Sequence, residues 1–158
     1  MLHFKTILYA TDFSQRSQPA FGLACSLAFD HGAKLVVVHA VPPPAVAFGE
    51  ALTQRVYEEA LEHARRDLEK LRPTDPAVHF ETRVMEGDPA AVILEAAREA
   101  GAELIVLGTH GRAGLSRVIM GSVAEEVLRK AHCPVVVMKA EQAKTEAASQ
   151  PFRVHAKT

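Results

Sequence analysis

The sequence predicts an α/β fold in which a parallel β-sheet is covered by helices on both faces. Five short apolar runs alternate with four longer stretches whose apolar residues recur at helical spacing, and this alternation is typical of parallel sheets. The run at residues 35–38 is continuously apolar, as expected of a strand buried on both faces. A chain of 158 residues with 48% hydrophobic and 23% charged residues suits one domain with a substantial core.

The first elements are two strands separated by a helix. Residues 6–10 and 34–41 are the predicted strands, and the helix between them covers residues 17–31. Pro19 is tolerated in the first turn of this helix, and Gly32 is its predicted end. The strand, helix, strand order is the unit from which parallel sheets are built.

A proline run and a long helix come next. The three prolines at residues 42–44 end the second strand and open a loop that is either a connector or the wall of a site. The helix is predicted over residues 51–71 and is closed by Pro73 and Pro76. Its predicted apolar face comprises Leu52, Val56, Ala60, Ala64, Leu68 and Leu71. Its predicted solvated face comprises Glu58, Glu59, Glu62, Arg65, Arg66 and Glu69.

The third strand and third helix carry clear local signals. Residues 78–84 alternate between apolar and polar side chains, which predicts a half-exposed strand at an edge of the sheet. Asp88 is the predicted N-cap of the next helix, Pro89 its first residue and Gly101 its end. The residues predicted to face the core are Val92, Ile93, Ala96, Ala97 and Ala100.

The fourth strand leads into a loop that carries the strongest functional signal. The strand covers residues 104–107, and a helix begins at Ser122. The loop glycines are Gly108, Gly111, Gly114 and Gly121, and the apolar side of the helix is predicted to comprise Val123, Val127 and Leu128. Glycines let amides approach an anion closely, and a helix start adds unpaired N–H groups and a positive dipole end. With Arg112 and Arg117 as candidate cations, we interpret this segment as a nucleotide phosphate site.

The remaining residues and the composition limit the other possibilities. A fifth strand is predicted over residues 134–138; we expect residues 1–140 to form one domain and residues 141–158 a flexible tail. A net charge of −1 gives no basic field for nucleic acid. No signal peptide is evident, and no apolar run approaches the about 18 residues of a membrane span. We therefore expect a cytoplasmic protein that binds neither nucleic acid nor a membrane.

The two cysteines do not indicate a metal or redox site. Cys25 lies on an apolar helix face and is predicted to belong to the core. Cys133 follows His132, but no second pair of ligands has suitable spacing for a metal ion.

Four separated motifs stand out along the chain. They are the segment Ile-Leu-Tyr-Ala-Thr-Asp-Phe-Ser at residues 7–14, Gly-Asp-Pro at residues 87–89, Gly108-x2-Gly111-x9-Gly121-Ser122, and Cys-Pro-Val-Val-Val at residues 133–137. Together they resemble the universal stress protein family over residues 4–139, and the glycine motif, the most specific of them, is similar to the signature of its ATP-binding branch. The resemblance implies a Rossmann-like sheet of the adenine nucleotide alpha hydrolase type, with strand order 3-2-1-4-5.

This resemblance also implies a cleft for ATP, ADP or AMP, with Mg²⁺ or Mn²⁺ on the phosphates. Asp12 would lie opposite Gly108 at a topological switch point, near the ribose and the phosphate-bound metal. Backbone groups around Ala40 would receive the adenine. The predicted nucleotide-binding residues are Ala10, Thr11, Asp12, His39, Ala40, Val41, Leu107, Gly108, His110, Gly111, Arg112, Gly121, Ser122 and Val123.

Three of these positions have structural alternatives. Ser122 and Glu125 have the spacing of a capping box, in which the serine would cap the helix. Glu125 would also repel a phosphate unless it rotates outward or a divalent ion intervenes. Asp12 is alternatively a helix cap or a turn residue, and His110 is alternatively an ordinary loop side chain or a catalytic group.

Together these features favour a nucleotide-dependent regulatory module of the stress response with little or no hydrolysis. No Gly-x4-Gly-Lys-Ser/Thr motif is present, and no base that would position water is evident. Two alternatives stay open: a slow ATPase or phosphotransferase assisted by Asp12 and His110, and a dimeric interaction protein that does not use nucleotide. The resemblance implies a homodimer through the apolar edge strand at residues 134–138.

Overall fold

The computed structural model describes residues 3–44, 49–109 and 120–139 of the chain. They form a five-stranded sheet in which all neighbouring strands are parallel, in the order β3-β2-β1-β4-β5. The strands are β1 (Thr6–Ala10), β2 (Lys34–Val41), β3 (Phe80–Glu86), β4 (Leu104–Gly108) and β5 (Val135–Met138). The helices are α1 (Gln18–His31), α2 (Glu50–Lys70), α3 (Pro89–Ala100) and α4 (Ser122–Lys130). The predicted α/β class and the strand order implied by the resemblance are confirmed.

Two apolar layers hold the helices on opposite faces of the sheet. One layer joins Tyr9 of β1 to Ala24 of α1 and to the second half of α2. The other joins Leu8 of β1 to Ile93 of α3 and Val127 of α4. Because successive side chains on a strand point to opposite faces, neighbouring residues of β1 serve different layers. The helices α1 and α2 therefore cover one face, and α3 and α4 cover the other.

Local signals determine the ends of α1 and α3. Pro19 lies in the first turn of α1, and Gly32 ends this helix at φ 60°, a left-handed conformation that glycine adopts without strain. Asp88 caps α3, because its side chain accepts a hydrogen bond from the Ala91 N–H at 3.1 Å. Gly101 ends α3. All of these predicted helix ends are confirmed.

The predicted apolar face of α2 is wrong in the first half of the helix. Leu52 and Val56 are 51% and 52% exposed. The Tyr57 side chain is partly buried instead, and its hydroxyl donates to the Val41 carbonyl oxygen at 3.3 Å. The buried residues farther along are Leu61, Ala64 and Leu68. Spacing of three and four residues allows two adjacent apolar stripes on one helix, and the observed stripe runs through Tyr57, Leu61, Ala64 and Leu68.

Three smaller expectations are corrected as well. Leu128 was predicted to face the core from α4, but it is 45% exposed because the buried side passes through Val127. The helix α1 starts at Gln18, since Gln15–Ser17 form a separate 3-10 turn. The strand β3 is a partly exposed edge strand as predicted, but its span is Phe80–Glu86 because it pairs with β2 up to the end of that strand.

The described residues also bear on two further expectations, the burial of Cys25 and the lack of a membrane-spanning helix. Cys25 is only 8% exposed within the core, as predicted. Burial raises the pKa of the Cys25 thiol to about 11, so the group stays protonated near neutral pH. In the described part of the chain, no helix combines the length and the apolarity of a membrane span.

Candidate functional site

The candidate site lies where β1 and β4 run side by side at the centre of the sheet. The two strands are parallel neighbours, so their carboxyl ends meet at the same edge. The helix after β1 lies on one face, whereas the helix after β4 lies on the other. The chain therefore leaves these two neighbouring strands toward opposite faces, which makes the carboxyl edge between them a topological switch point, here called the crevice. In open α/β sheets this is the place where ligands bind.

The first wall of the crevice is the turn of residues 11–14, which follows β1. The Thr11 hydroxyl oxygen accepts the Phe13 N–H at 3.0 Å, and Asp12 Oδ1 accepts the Ser14 N–H at 2.9 Å. Phe13 has φ 62°, and no other described non-glycine residue has a positive φ. The two side-chain bonds stabilise this left-handed conformation. Asp12 is therefore a turn residue, as one sequence alternative proposed, and one oxygen of its carboxylate is hydrogen-bonded inside the turn.

The end of β2 supports this turn from the side. The Val38 carbonyl oxygen accepts the Thr11 N–H at 3.0 Å. The His39 ring hydrogen-bonds from Nδ1 to the Thr11 carbonyl oxygen at 2.7 Å and lies against the Phe13 ring, with 4.4 Å between ring centroids. The side chains of Phe13 and Ser14, and this histidine contact, were not predicted as site features. The pattern Thr-Asp-x-Ser after a buried strand was the only sequence signal for the turn.

Beyond β1, the backbone of β2 presents groups to the crevice. Along a parallel strand, the N–H and C=O of one residue face one neighbour, and those of the next residue face the other. Val38 faces β1, whereas the Val41 carbonyl oxygen accepts the Gly87 N–H at 3.1 Å on the β3 side. By this alternation Ala40 faces the side of β1, and that strand has already ended at Ala10.

Val41 already has two hydrogen-bond donors at its backbone carbonyl. Its carbonyl oxygen receives the Tyr57 hydroxyl in addition to the Gly87 N–H. Burial, together with the nearby Glu86 carboxylate, raises the pKa of Tyr57, so the phenol keeps the proton that it donates. Of the predicted backbone groups at this strand end, those of Ala40 are the better placed for a ligand.

The second wall is the start of α4, which is held at the end of β4. Thr109 donates its N–H to the Met138 carbonyl oxygen at 2.8 Å, and its own carbonyl oxygen accepts the Gly121 N–H at 2.6 Å. Gly121 is the N-cap of α4 and makes no side-chain cap bond; Ser122 is the first helical residue and is exposed. The capping-box interpretation of Ser122 is therefore wrong, because the cap lies one residue earlier.

The structure thus brings most of the predicted residues to one edge of the sheet. Ala10, Leu107 and Gly108 end β1 and β4, and Val123 lies half-buried in the first turn of α4. The predicted residues His110, Gly111 and Arg112 lie outside the described residues, as do Gly114 and Arg117 and the predicted tail at residues 141–158. Within the described ranges, no group of three or more His, Cys, Asp or Glu side chains is arranged to hold a metal ion.

The family of the chain follows from sequence comparison. The family model described as the universal stress protein family matches residues 3–139. The chain belongs to the universal stress protein family. A family member from Methanocaldococcus jannaschii is 36% identical over 142 residues, which cover 86% of this chain and 82% of that protein. A member from Thermus aquaticus is 37% identical over 140 residues, which cover 86% of this chain and 99% of that protein.

Solved structures of the family share the fold. The universal stress protein UspA from Lactobacillus plantarum superposes with a TM-score of 0.80 at 26% identity, covering 87% of this chain and 99% of that one. A universal stress protein in complex with cAMP has a TM-score of 0.60 at 22% identity, covering 88% and 99% of the two chains. One from Archaeoglobus fulgidus in complex with dAMP has a TM-score of 0.54 at 23% identity, covering 87% and 98%.

Proposed function

We propose that this protein binds an adenine nucleotide, with ATP as the principal ligand, in the crevice between the turn of residues 11–14 and the start of α4. The proposal rests on two features at the carboxyl edge of the neighbouring strands β1 and β4: an Asp12 carboxylate that is hydrogen-bonded inside its turn, and a helix start whose N-cap is a glycine. Two proteins of the same fold are described in complex with cAMP and dAMP. The case for this chain rests on its own residues.

The start of α4 would bind the phosphates. The first amides of a helix lack partners within the helix and point outward, and the dipole adds positive potential. Gly121 contributes no side chain to these amides, so an anion can approach the N–H groups of Ser122 and Val123. The Ser122 hydroxyl adds a donor beside them.

Asp12 would contribute to the ribose and metal side of the site. Its Oδ1 is oriented by the Ser14 N–H, and carboxylate oxygen is a preferred partner of Mg²⁺ and of ribose hydroxyls. The Ser14 hydroxyl is buried and has no hydrogen-bond partner among the described residues, which fits a polar ligand beside this turn. The metal ion would bind mainly to the phosphates and neutralise their charge. Asp12 would interact with it only indirectly, through the nucleotide phosphates.

The adenine would bind at the end of β2. Ala40 directs its backbone donor and acceptor toward the crevice, and this pair matches the hydrogen-bonding edge of adenine. Backbone recognition of this kind depends on strand geometry and requires no particular side chain.

We further propose that bound ATP is held with little or no hydrolysis, so that the protein is a regulatory module. The chain has no P-loop lysine, and groups that bind the ground state and the transition state equally do not accelerate chemistry. An enzyme would turn over bound ATP at about 1 per second or faster.

Calorimetry and single-turnover kinetics test the proposal. Titration of the purified protein with MgATP should give saturable heat with a stoichiometry of about one per chain, and bound ATP should decay far more slowly than about 1 per second. Absence of heat at high micromolar MgATP would favour the interaction-protein alternative. Fast decay that Asp12→Asn abolishes while affinity is retained would favour the ATPase alternative.

A homodimer through β5 is the proposed assembly. The opposite edge strand, β3, carries Glu81 and Arg83, which pair with each other at 2.7 Å, and Glu81 also pairs with Lys34. Such charges protect an edge from association, whereas β5 consists of three valines and a methionine that are all half-exposed. The proposal is that two copies pair along β5.

Analytical ultracentrifugation tests this assembly. The protein should sediment as a dimer at micromolar concentration, and Val136→Lys should shift it to monomer. Thr82→Lys, an exposed change on β3, is the matched control and should leave the dimer intact. A monomeric wild-type protein would contradict the assembly, as would an unchanged dimer in Val136→Lys.

A further inference from the structure

We propose that the His39 side chain is a positioning residue that fixes the Asp12 carboxylate in its nucleotide-binding orientation. The inference rests on the proposed function and deepens it, because it assigns a role to a side chain at a strand end where only backbone contacts with adenine were expected. It stands on three contacts: the bond from the His39 ring to Thr11, the contact with Phe13, and the Asp12 bond inside the same turn.

The direction of the histidine bond is determined by chemistry. A carbonyl oxygen only accepts hydrogen bonds, so His39 Nδ1 carries the hydrogen that bonds to the Thr11 carbonyl oxygen at 2.7 Å. This bond joins β2 to the first residue of the turn, 28 positions away along the sequence. The Thr11 N–H is bonded to Val38 of the same strand. Both backbone groups of Thr11 are therefore anchored to β2.

The ring contact acts one residue beyond Asp12. Phe13 adopts φ 62°, which is unfavourable for a residue with a side chain. Its ring lies against the His39 ring, with centroids 4.4 Å apart and planes inclined by 37°. His39 therefore holds the residues on both sides of Asp12, Thr11 through a hydrogen bond and Phe13 through packing.

The consequence is a carboxylate that does not have to be ordered when the ligand binds. Asp12 Oδ1 already accepts the Ser14 N–H at 2.9 Å, and this bond spans the left-handed Phe13. Loss of the His39 contacts would let Phe13 relax to a common conformation, and the Asp12 side chain would then lose its orientation. The affinity for MgATP should then be lower, because the carboxylate would no longer be preorganised.

The test compares His39→Phe with His39→Asn. Phenylalanine keeps an aromatic ring against Phe13 but removes the donor, whereas the asparagine amide can place a donor close to the position of Nδ1. We expect His39→Phe to weaken MgATP binding about tenfold, as is typical of residues that orient a ligand-binding group, and His39→Asn, which keeps the donor but loses the ring, to weaken it by a smaller factor.

The second arm asks whether the effect passes through Asp12. In an Asp12→Asn background, His39→Phe should change MgATP affinity by less than about twofold, because the charge that it positions is absent. Thermal unfolding of each variant checks that it is folded. Equal losses in both backgrounds would overturn the inference, since they would reflect general damage to the site.

A third arm does not depend on nucleotide. Amide hydrogen exchange of Ser14 in the ligand-free protein should be about tenfold faster in His39→Phe, which loses the hydrogen bond to Thr11, and intermediate in His39→Asn, which loses only the ring contact. Unchanged exchange in His39→Phe would overturn the positioning role. If exchange changes as expected but the wild-type protein gives no heat with MgATP, the proposed function fails, while the assignment of His39 to the turn stands.

Discussion

The helices α3 and α4 both begin after the carboxyl end of a strand, but their first turns are completed in different ways. The N-cap of α3 is Asp88 at φ −61° and ψ 130°, and the N-cap of α4 is Gly121 at φ −73° and ψ 156°. The two caps thus share an extended backbone and differ in the side chain. Asp88 satisfies an amide of its own helix, whereas Gly121 provides no side-chain acceptor.

This difference indicates which helix start is available to an external anion. The α3 start follows β3 at an edge of the sheet, and its first residue is a proline that has no N–H to offer. The α4 start follows β4, which neighbours β1, the strand that leads into the Asp12 turn. A helix that caps itself is complete without a ligand, whereas a helix with a glycine cap at a crevice has amides that a phosphate can satisfy.

The largest effect is expected from giving α4 the cap of α3. Gly121→Asp places a carboxylate on the amides proposed to bind phosphate, and its backbone angles suit an aspartate cap. MgATP affinity should fall about a hundredfold, since charge-assisted bonds are lost and like charges meet. Calorimetry measures the loss. A Gly121→Asp protein that binds MgATP as tightly as wild type would break the comparison.

Ligand-induced stabilisation gives the next effect. At a free MgATP concentration of one hundred times the Kd, the free energy of unfolding of the wild-type protein should rise by about 2.7 kcal/mol. The Asp88→Ala protein should gain the same amount, whereas Gly121→Asp at the same nucleotide concentration should gain little. Urea denaturation with and without MgATP measures these differences. If MgATP raised the free energy of unfolding of Gly121→Asp as much as that of wild type, the nucleotide would not bind at the α4 start.

The reciprocal change at α3 should affect stability alone. Asp88→Ala removes the bond to the Ala91 N–H and should lower the free energy of unfolding by about 1 kcal/mol. MgATP affinity should stay within about twofold of wild type, because a helix cap at the sheet edge makes no ligand contact. Urea denaturation measures the loss of stability, and calorimetry measures the MgATP affinity. A large loss of affinity would contradict the assignment of α3 as a structural helix.

The smallest effect is expected from the carboxylate in the first turn of α4. Glu125 is exposed there and should weakly oppose a bound phosphate. Glu125→Gln should therefore tighten MgATP binding about twofold, in line with the energies of exposed charges near helix ends. Glu95→Gln in α3 is the matched control and should have no effect. Weaker binding in Glu125→Gln would instead indicate a favourable role for this carboxylate.

The sequence predicts best those features that depend on neighbouring residues. The Asp88 cap and the stops at Gly32 and Gly101 need only local geometry, and each lies where it was predicted. The prediction that Ser122 caps α4 was wrong by one residue, because the N-cap is Gly121. The pattern Ser-x-x-Glu can occur in the first turn of a helix without being a capping box. Boundaries of this kind depend on how the incoming loop meets the strand end.

Features that depend on distant residues were not predictable from the sequence. The bond between His39 and Thr11 and the contact between the His39 and Phe13 rings require β1 and β2 to lie side by side. The strand order came from the family resemblance, since alternating strands and helices are compatible with several orders. The exposed Leu52 shows the same limit, because a helix can present either of two adjacent apolar stripes to the sheet.

Amide chemical shifts during titration with MgATP test the central claim most directly, because they compare the two helix starts in one experiment. We predict the largest changes at Ser122 and Val123 of α4 and at Ser14 of the turn after β1, with no significant change at Ala91 and Val92 of α3. Shifts concentrated at α3, or saturable binding that leaves the α4 amides unchanged, would contradict the proposed nucleotide site.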